Sequence, residues 1–315
     1  MPLRETIRVA VIQTTLDNAC AWNDPTRLKI SIAEENRAIS EIGRGFTDLH
    51  QNQLAPDIVL LPELAVPRGY VDELARLANS LGALVIAGVD YSPPTRLKSV
   101  MNEGIVIVPR YWGGRRSAFG TTVRYFAKTY PAEREREAIE NQYNLRFKGV
   151  PTVWVLNSNQ LGRIGVCICY DLLDLCRLAM YRGHIQHLMV LAYNEDLLSF
   201  QHVAEAAMRT IYCNVVVCNT GKYGGSLAIA PLHDPNRRIL YQQMGAGLFD
   251  CQVFELSVQG LAVKQASGGR DPVWKSLPPG YMASVDLRRV NTVIRSRVKE
   301  PKIARKRSVA TVKER

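Results

Sequence analysis

The sequence predicts a layered α/β domain, and three observations carry that prediction. Apolar runs of strand length, such as Ile7–Gln13 (IRVAVIQ), Asp57–Leu61 (DIVLL) and Ala83–Val89 (ALVIAGV), are continuous rather than alternating. Continuous runs mark strands covered on both faces. Helix-length segments stand between them, and no repeat or low-complexity linker divides the chain before about Asp286.

Taken in order, Ile7–Gln13 reads as a first strand and Leu28–Ile42 as a helix. Asp57–Leu61 is a second strand, closed by Pro62, since proline cannot donate to a sheet ladder. Val71–Leu81 is a helix and Ala83–Val89 a third strand; Glu103–Val108 and Thr122–Ala127 follow as strands. Val153–Leu156 and Arg163–Cys169 form a hairpin around the turn residues Asn157–Gly162 (NSNQLG). Beyond it come a helix near Leu175–Arg182, a strand at His187–Leu191 and a helix at Phe200–Tyr212. Strands at Asn214–Cys218 and Ser226–Ala230 complete the main pattern, with weaker ones at Val253–Leu256 and Gly280–Val285.

At 315 residues the chain can bury a substantial core. Its 47% hydrophobic and 22% charged content is ordinary for a soluble enzyme. No apolar run approaches the roughly 18 residues that span a membrane, and the opening MPLRETIR has no apolar signal core. A cytoplasmic protein is expected. The seven cysteines are odd in number and lie mostly in apolar runs, which favours reduced thiols over a disulfide framework. Cys167 and Cys169 lack a second Cys/His pair with ligand spacing, so no structural zinc and no other cofactor is expected.

Three segments place a chemically capable residue at a strand end: LLPEL with Glu63, YFAKT with Lys128 and ICYD with Cys169. Strand ends on one side of an α/β sheet converge on a crevice. Singly, each residue has an ordinary explanation: Glu63 as a helix-start charge, Lys128 as a strand-end charge, Cys169 as core. Together they supply a base, a cation and a nucleophile. Cys167 is the rival nucleophile. Two residues earlier on the same strand, it should face the same way but about 6–7 Å deeper in the sheet. The crevice meets the end of the strand, which favours Cys169.

In PELAVPRGY (Pro62–Tyr70), FAKTY (Phe126–Tyr130) and GVCICYD (Gly165–Asp171) the chain resembles the nitrilase superfamily of carbon–nitrogen hydrolases. A later segment, Ala206–Ser226, looks like the family's helix–strand unit beyond the nucleophile. The resemblance spans roughly residues 5–286 and implies a four-layer α-β-β-α sandwich, often paired into homodimers. It also implies a small-molecule amide or carbamoyl substrate. In that chemistry Glu63 takes the Cys169 proton, and the thiolate attacks the carbonyl carbon. Lys128 and the backbone N–H of Tyr170 then stabilise the oxyanion. The thioester is released to water, or to an amine by the same intermediate. Many family members add a second glutamate after the lysine. Glu133, Glu135 and Glu137 are available; Glu135 and Glu137 lie nearest the family's spacing, and the expectation falls on Glu137.

Tyr170 and Asp171 resemble the amidase and carbamoylase branches. Where several of those place an arginine, this chain has Leu172 and Leu173, which cannot grip a substrate carboxylate. Arg177, farther on, is expected on the helix surface. Tyr193 and Asn194 follow the next strand, as pocket residues or as turn residues. Arg209 is expected to pair with a carboxylate and Asn219 to stand near a strand end.

The net charge of +11 is unevenly placed. Residues 288–315 hold eleven Lys/Arg and two Glu, so nine of the eleven net charges belong to this tail and the body at 1–287 is nearly neutral. One reading is a solvated arm that crosses a dimer partner. Another is contact with nucleic acid or an acidic partner, without the aromatics needed for base stacking. On that second reading the whole chain would be an interaction module with a vestigial site.

Overall fold

The computed structural model describes residues 3–112, 115–116 and 120–282. Two six-stranded sheets stack face to face. The first contains β1 (Thr6–Gln13), β2 (Ile58–Val66), β3 (Leu84–Val89), β4 (Glu103–Val108) and β5 (Thr122–Ala127). The second contains β6 (Trp154–Ser158), β7 (Gly162–Ile168), β8 (His187–Leu191), β9 (Asn214–Cys218), β10 (Ser226–Ile229) and β11 (Ile239–Gln243). The chain then returns to the first sheet as β12 (Asp250–Ser257), antiparallel to β1. The orders are β12-β1-β2-β3-β4-β5 and β6-β7-β8-β9-β10-β11. Each sheet has a parallel centre, β1-β2-β3 in one and β7-β8-β9 in the other.

Side-chain alternation builds the layers. Ile7, Val9 and Val11 of β1 and Ile164, Val166 and Ile168 of β7 all point into the core between the sheets. The intervening Ala10 and Ile12 face outward onto α1 (Ile32–Gln51) and α2 (Val71–Leu81), through Ile42, Phe46, Leu74 and Ala78. On the other side, Leu188, Val190, Val215 and Val217 pack under the later helices. Those are α4 (Leu175–Tyr181) and α5 (Leu197–Ala207), which follow the short α3 (Glu133–Glu137). The result is the α-β-β-α sandwich that the sequence resemblance implied.

Several boundaries differ from the sequence expectation for physical reasons. Helix α1 starts at Ile32, because Ser31 caps it by accepting from the Glu34 N–H, and it runs on to Gln51. Leu28 and Ile30 join a separate small cluster with Leu64 and Tyr91. Pro62 does not close β2. The strand continues to Val66 through an irregularity, with its register to β3 shifting between Leu61 and Val66 and Leu64 at φ 60°. The Phe200–Tyr212 helix is α5 followed by a π-helical turn at Met208–Tyr212. Strand β11 and helix α6 (Gln259–Ser267) were not foreseen. Gly280, Tyr281 and Met282 form no strand. The rest of that expected strand, and the basic tail at 288–315, lie outside the described residues.

All seven cysteines are free; Cys20 and Cys176 are exposed. Among the described residues no helix is long and apolar enough to cross a membrane.

Candidate active site

Cys169 sits one residue past the end of β7, at φ 43°. A non-glycine residue in that region costs backbone energy and is held there only by its surroundings. The turn has a visible consequence. Strict alternation would put Cys169 on the helix side of the sheet with Cys167. Cys167 does pack there, but Cys169 joins the core between the sheets. The expectation that both thiols face the same way is therefore corrected.

Glu63 stands in the irregular part of β2, almost wholly buried. Its backbone lies directly against Gly88 of β3: a Cβ on Gly88 would stand 2.4 Å from the Glu63 Cα and 2.5 Å from the Leu64 nitrogen. Only glycine allows that approach. Lys128 follows β5, and its N–H extends the ladder with a 2.9 Å bond to the Asn102 carbonyl.

These residues meet. Lys128 Nζ donates to Glu63 Oε1 at 2.7 Å and to Glu135 Oε2 at 2.6 Å. Asn102 Nδ2 bridges the same two carboxylates, 2.8 Å from Glu63 Oε1 and 2.6 Å from Glu135 Oε1. Because it faces two acceptors, the orientation of the Asn102 amide is fixed by chemistry. Glu135 is held further by the Tyr91 hydroxyl at 3.2 Å and the Ala132 N–H at 3.1 Å. The second carboxylate beside Lys128 is thus Glu135. Glu137, two residues on, is exposed, since two steps along a helix carry a side chain to a different face.

Glu63 Oε2 is buried without a hydrogen-bond partner among the described residues. It is the carboxylate oxygen left for a proton. The Cys169 thiol is in reach of Glu63 electrostatically, and its Sγ lies 3.9 Å from the Tyr193 carbonyl. Burial holds the thiol well above its ordinary pKa, Glu63 adds to that, and Lys128 opposes both. Burial also raises Glu63, against Lys128 and with Glu135. For Lys128, burial works against the ammonium, but Glu135 and Glu63 overcome it and raise its pKa well above the usual value. The resting site is therefore a neutral thiol beside a charged ammonium.

Asp171 ties the cysteine turn to the lysine loop. Its carboxylate accepts the N–H groups of Thr129 and Tyr130 at 3.0 Å. Arg177 approaches the same carboxylate at 3.5 Å and also donates to the Thr129 hydroxyl. Arg177 is buried rather than on the helix surface, so the sequence expectation for it is corrected. Tyr170, the next residue, is exposed.

The cluster forms the floor of a cavity of about 450 Å³, a normal size for a small-molecule site. Tyr193 and Asn194 both line it. Asn194 is a turn residue as well: its side chain bonds the Asp196 backbone in both directions. Asn219, just past β9, accepts the Asn194 N–H at 2.9 Å. Arg209 departs from expectation: its buried Nη1 has no partner among the described residues. Among those residues no group of three or more His, Cys, Asp or Glu could hold a metal.

No family model matches the sequence, and no curated protein matches it. Solved structures do. Nit3 of Saccharomyces cerevisiae, a member of branch 10 of the nitrilase superfamily, superposes with a TM-score of 0.59 at 16% identity, covering 84% of this chain and 94% of its own. A double mutant of the amidase from Nesterenkonia sp. in complex with acrylamide gives 0.56 at 14% identity, covering 81% and 92%. A CN-hydrolase superfamily protein from Xanthomonas campestris, with an arsenic adduct in its active site, gives 0.56 at 16% identity, covering 82% and 94%. At these identities the likeness is one of fold: this chain has the fold of the nitrilase superfamily.

Proposed function

We propose that the protein is a cysteine-dependent hydrolase of non-peptide carbon–nitrogen bonds, acting on a small amide or carbamoyl compound. The observation that carries this reading is the buried Glu63–Lys128–Glu135 cluster, set against a thiol that a strained turn holds at the floor of an open cavity.

Catalysis begins with a neutral thiol. Its proton passes to Glu63 as Sγ attacks the carbonyl carbon, so free thiolate need not accumulate. The developing oxyanion is stabilised by Lys128 and the Tyr170 backbone N–H. Glu63 returns its proton to the departing amine or ammonia, leaving a thioester on Cys169. Glu63 then draws a proton from water as the water oxygen attacks the thioester carbon; the C–S bond breaks, Glu63 returns that proton to Sγ, and the acid leaves with the thiol restored. Glu135 and Asn102 act as positioning residues: they hold Lys128 and Glu63 in one geometry throughout.

The test is an acid quench during turnover of an amide, followed by peptide mass mapping. An acyl group on the peptide bearing Cys169 is expected. Rapid ammonia release with no acyl adduct, retained in Cys169→Ala, would remove the proposal.

A further inference from the structure

The cavity walls carry information about the substrate beyond the reaction class. Five aromatic residues line it: Trp22, Tyr91, Tyr143, Tyr193 and Tyr223. The first four have their polar tips engaged within the protein, and Tyr223 packs edge to face against Tyr193 with centroids 5.6 Å apart. Trp22 Nε1 donates to Asp90 at 2.9 Å, and the Tyr91 hydroxyl to Glu135 at 3.2 Å. The Tyr143 hydroxyl donates to the Trp22 carbonyl at 2.6 Å, and that of Tyr193 to the Leu16 carbonyl at 3.2 Å. With their hydrogen-bonding groups turned into the protein, those four offer a ligand mainly ring surface. Trp22 and Tyr91 also brace each other edge to face, with centroids 5.4 Å apart.

Charge points the same way. Among the described lining residues the acids are Glu63, Glu133, Glu135 and Glu195, and the bases are Lys128 and Arg134. Lys128 is held by two carboxylates at the floor, and Arg134 is paired with Glu195 at the rim. A substrate carboxylate would enter a wall with an excess of acids and no cation free to receive it. Burying such a charge unpaired is costly, whereas a ring gains from apolar burial.

We infer that the substrate of this site is an uncharged amide whose acyl part ends in an aromatic or bulky apolar group, and that carboxylate-bearing amides, N-carbamoyl amino acids among them, are excluded. This rests on the proposed hydrolase reading for the reaction but on the walls alone for binding.

The experiment separates the two. Binding of hydrocinnamamide and of glutaramate to the full-length Cys169→Ala protein is measured by calorimetry, and ammonia release from both by the wild type. Hydrocinnamamide should bind at least about tenfold more tightly, the difference between burying a ring and burying an unpaired carboxylate. In Glu195→Gln, which releases Arg134, glutaramate should gain affinity and narrow that gap. Equal or tighter binding of glutaramate, or no binding of either, overturns the inference. Tight hydrocinnamamide binding without ammonia release from either amide leaves the binding preference standing and removes the hydrolase reading instead.

Discussion

Cys167 and Cys169 lie two residues apart, yet they occupy different chemical worlds. Cys167 is packed among Leu178, Tyr181 and Leu188 on the helix side of the second sheet. Burial pushes its thiol far up, and the charges acting on it are Asp171 and Arg177, which are engaged with each other. Cys169 is also buried and its thiol is also raised, but the charges acting on it are Glu63 and Lys128. Burial therefore does not separate the two. What separates them is one left-handed backbone step after Ile168, which swings the second thiol from the helix side to the inter-sheet core, where it lines the cavity. A buried thiol becomes a candidate nucleophile when a base and a cation share its pocket.

Changes to that surrounding machinery should break the contrast in graded amounts. Glu63→Gln removes the proton acceptor and is expected to lower kcat/KM by about 10²–10⁴-fold in steady-state assays. The wild-type pH profile should agree. Burial raises the Glu63 pKa, so as pH falls through that raised value Glu63 is protonated and activity is lost. The acid limb should therefore lie above about pH 4.3, the ordinary glutamate value. Lys128 is shifted upward, so its charge, and any stability its ion pairs contribute, persists below the ordinary lysine pKa of about 10.4 and is lost only above it.

Lys128→Met should lower kcat by about 10²–10³-fold through the lost oxyanion contact. It also leaves Glu63 and Glu135 buried without their cation. Denaturant melts at neutral pH should show a loss of about 3–5 kcal/mol, the usual cost of breaking a buried pair. Gly88→Ala touches no reacting group. Its methyl group would displace the Glu63 backbone, and kcat should fall about 10²-fold, the cost of a shift near 1 Å in a catalytic group. Cys167→Ala sits at the small end. It should leave kcat/KM within about twofold and cost about 1 kcal/mol of stability, as a truncation in the outer core.

The same contrast explains what could be read in the sequence. The continuous apolar runs marked β1, β3, β4, β8 and β9 nearly to the residue, because strands covered on both faces leave an unbroken apolar signal. The order of Glu63, Lys128 and Cys169 was legible because each follows a segment that reads as a strand. The irregularity at Glu63 was hidden, since Pro62 looks like a terminator when only its missing N–H is considered. Glu135 was hidden among Glu133 and Glu137, because which face of a short charged helix turns inward depends on where the preceding loop delivers it. Its bond back to the Ala132 N–H leaves no trace in an alanine. Asn102 and Tyr91 were missed altogether. An asparagine before a strand and a tyrosine after one are ordinary turn and edge residues until two carboxylates are brought to them. Arg177 was misplaced because the helix surface is the common place for arginine, and its buried partner Asp171 is named only by the fold.

The central claim is that Cys169, and not Cys167, carries the chemistry. Ammonia release should be measured for Cys169→Ala and Cys167→Ala side by side over a panel of amides, with both variants shown to be folded by their thermal melts. The expected result is no detectable turnover for Cys169→Ala and near wild-type rates for Cys167→Ala. Retained turnover in folded Cys169→Ala would contradict it.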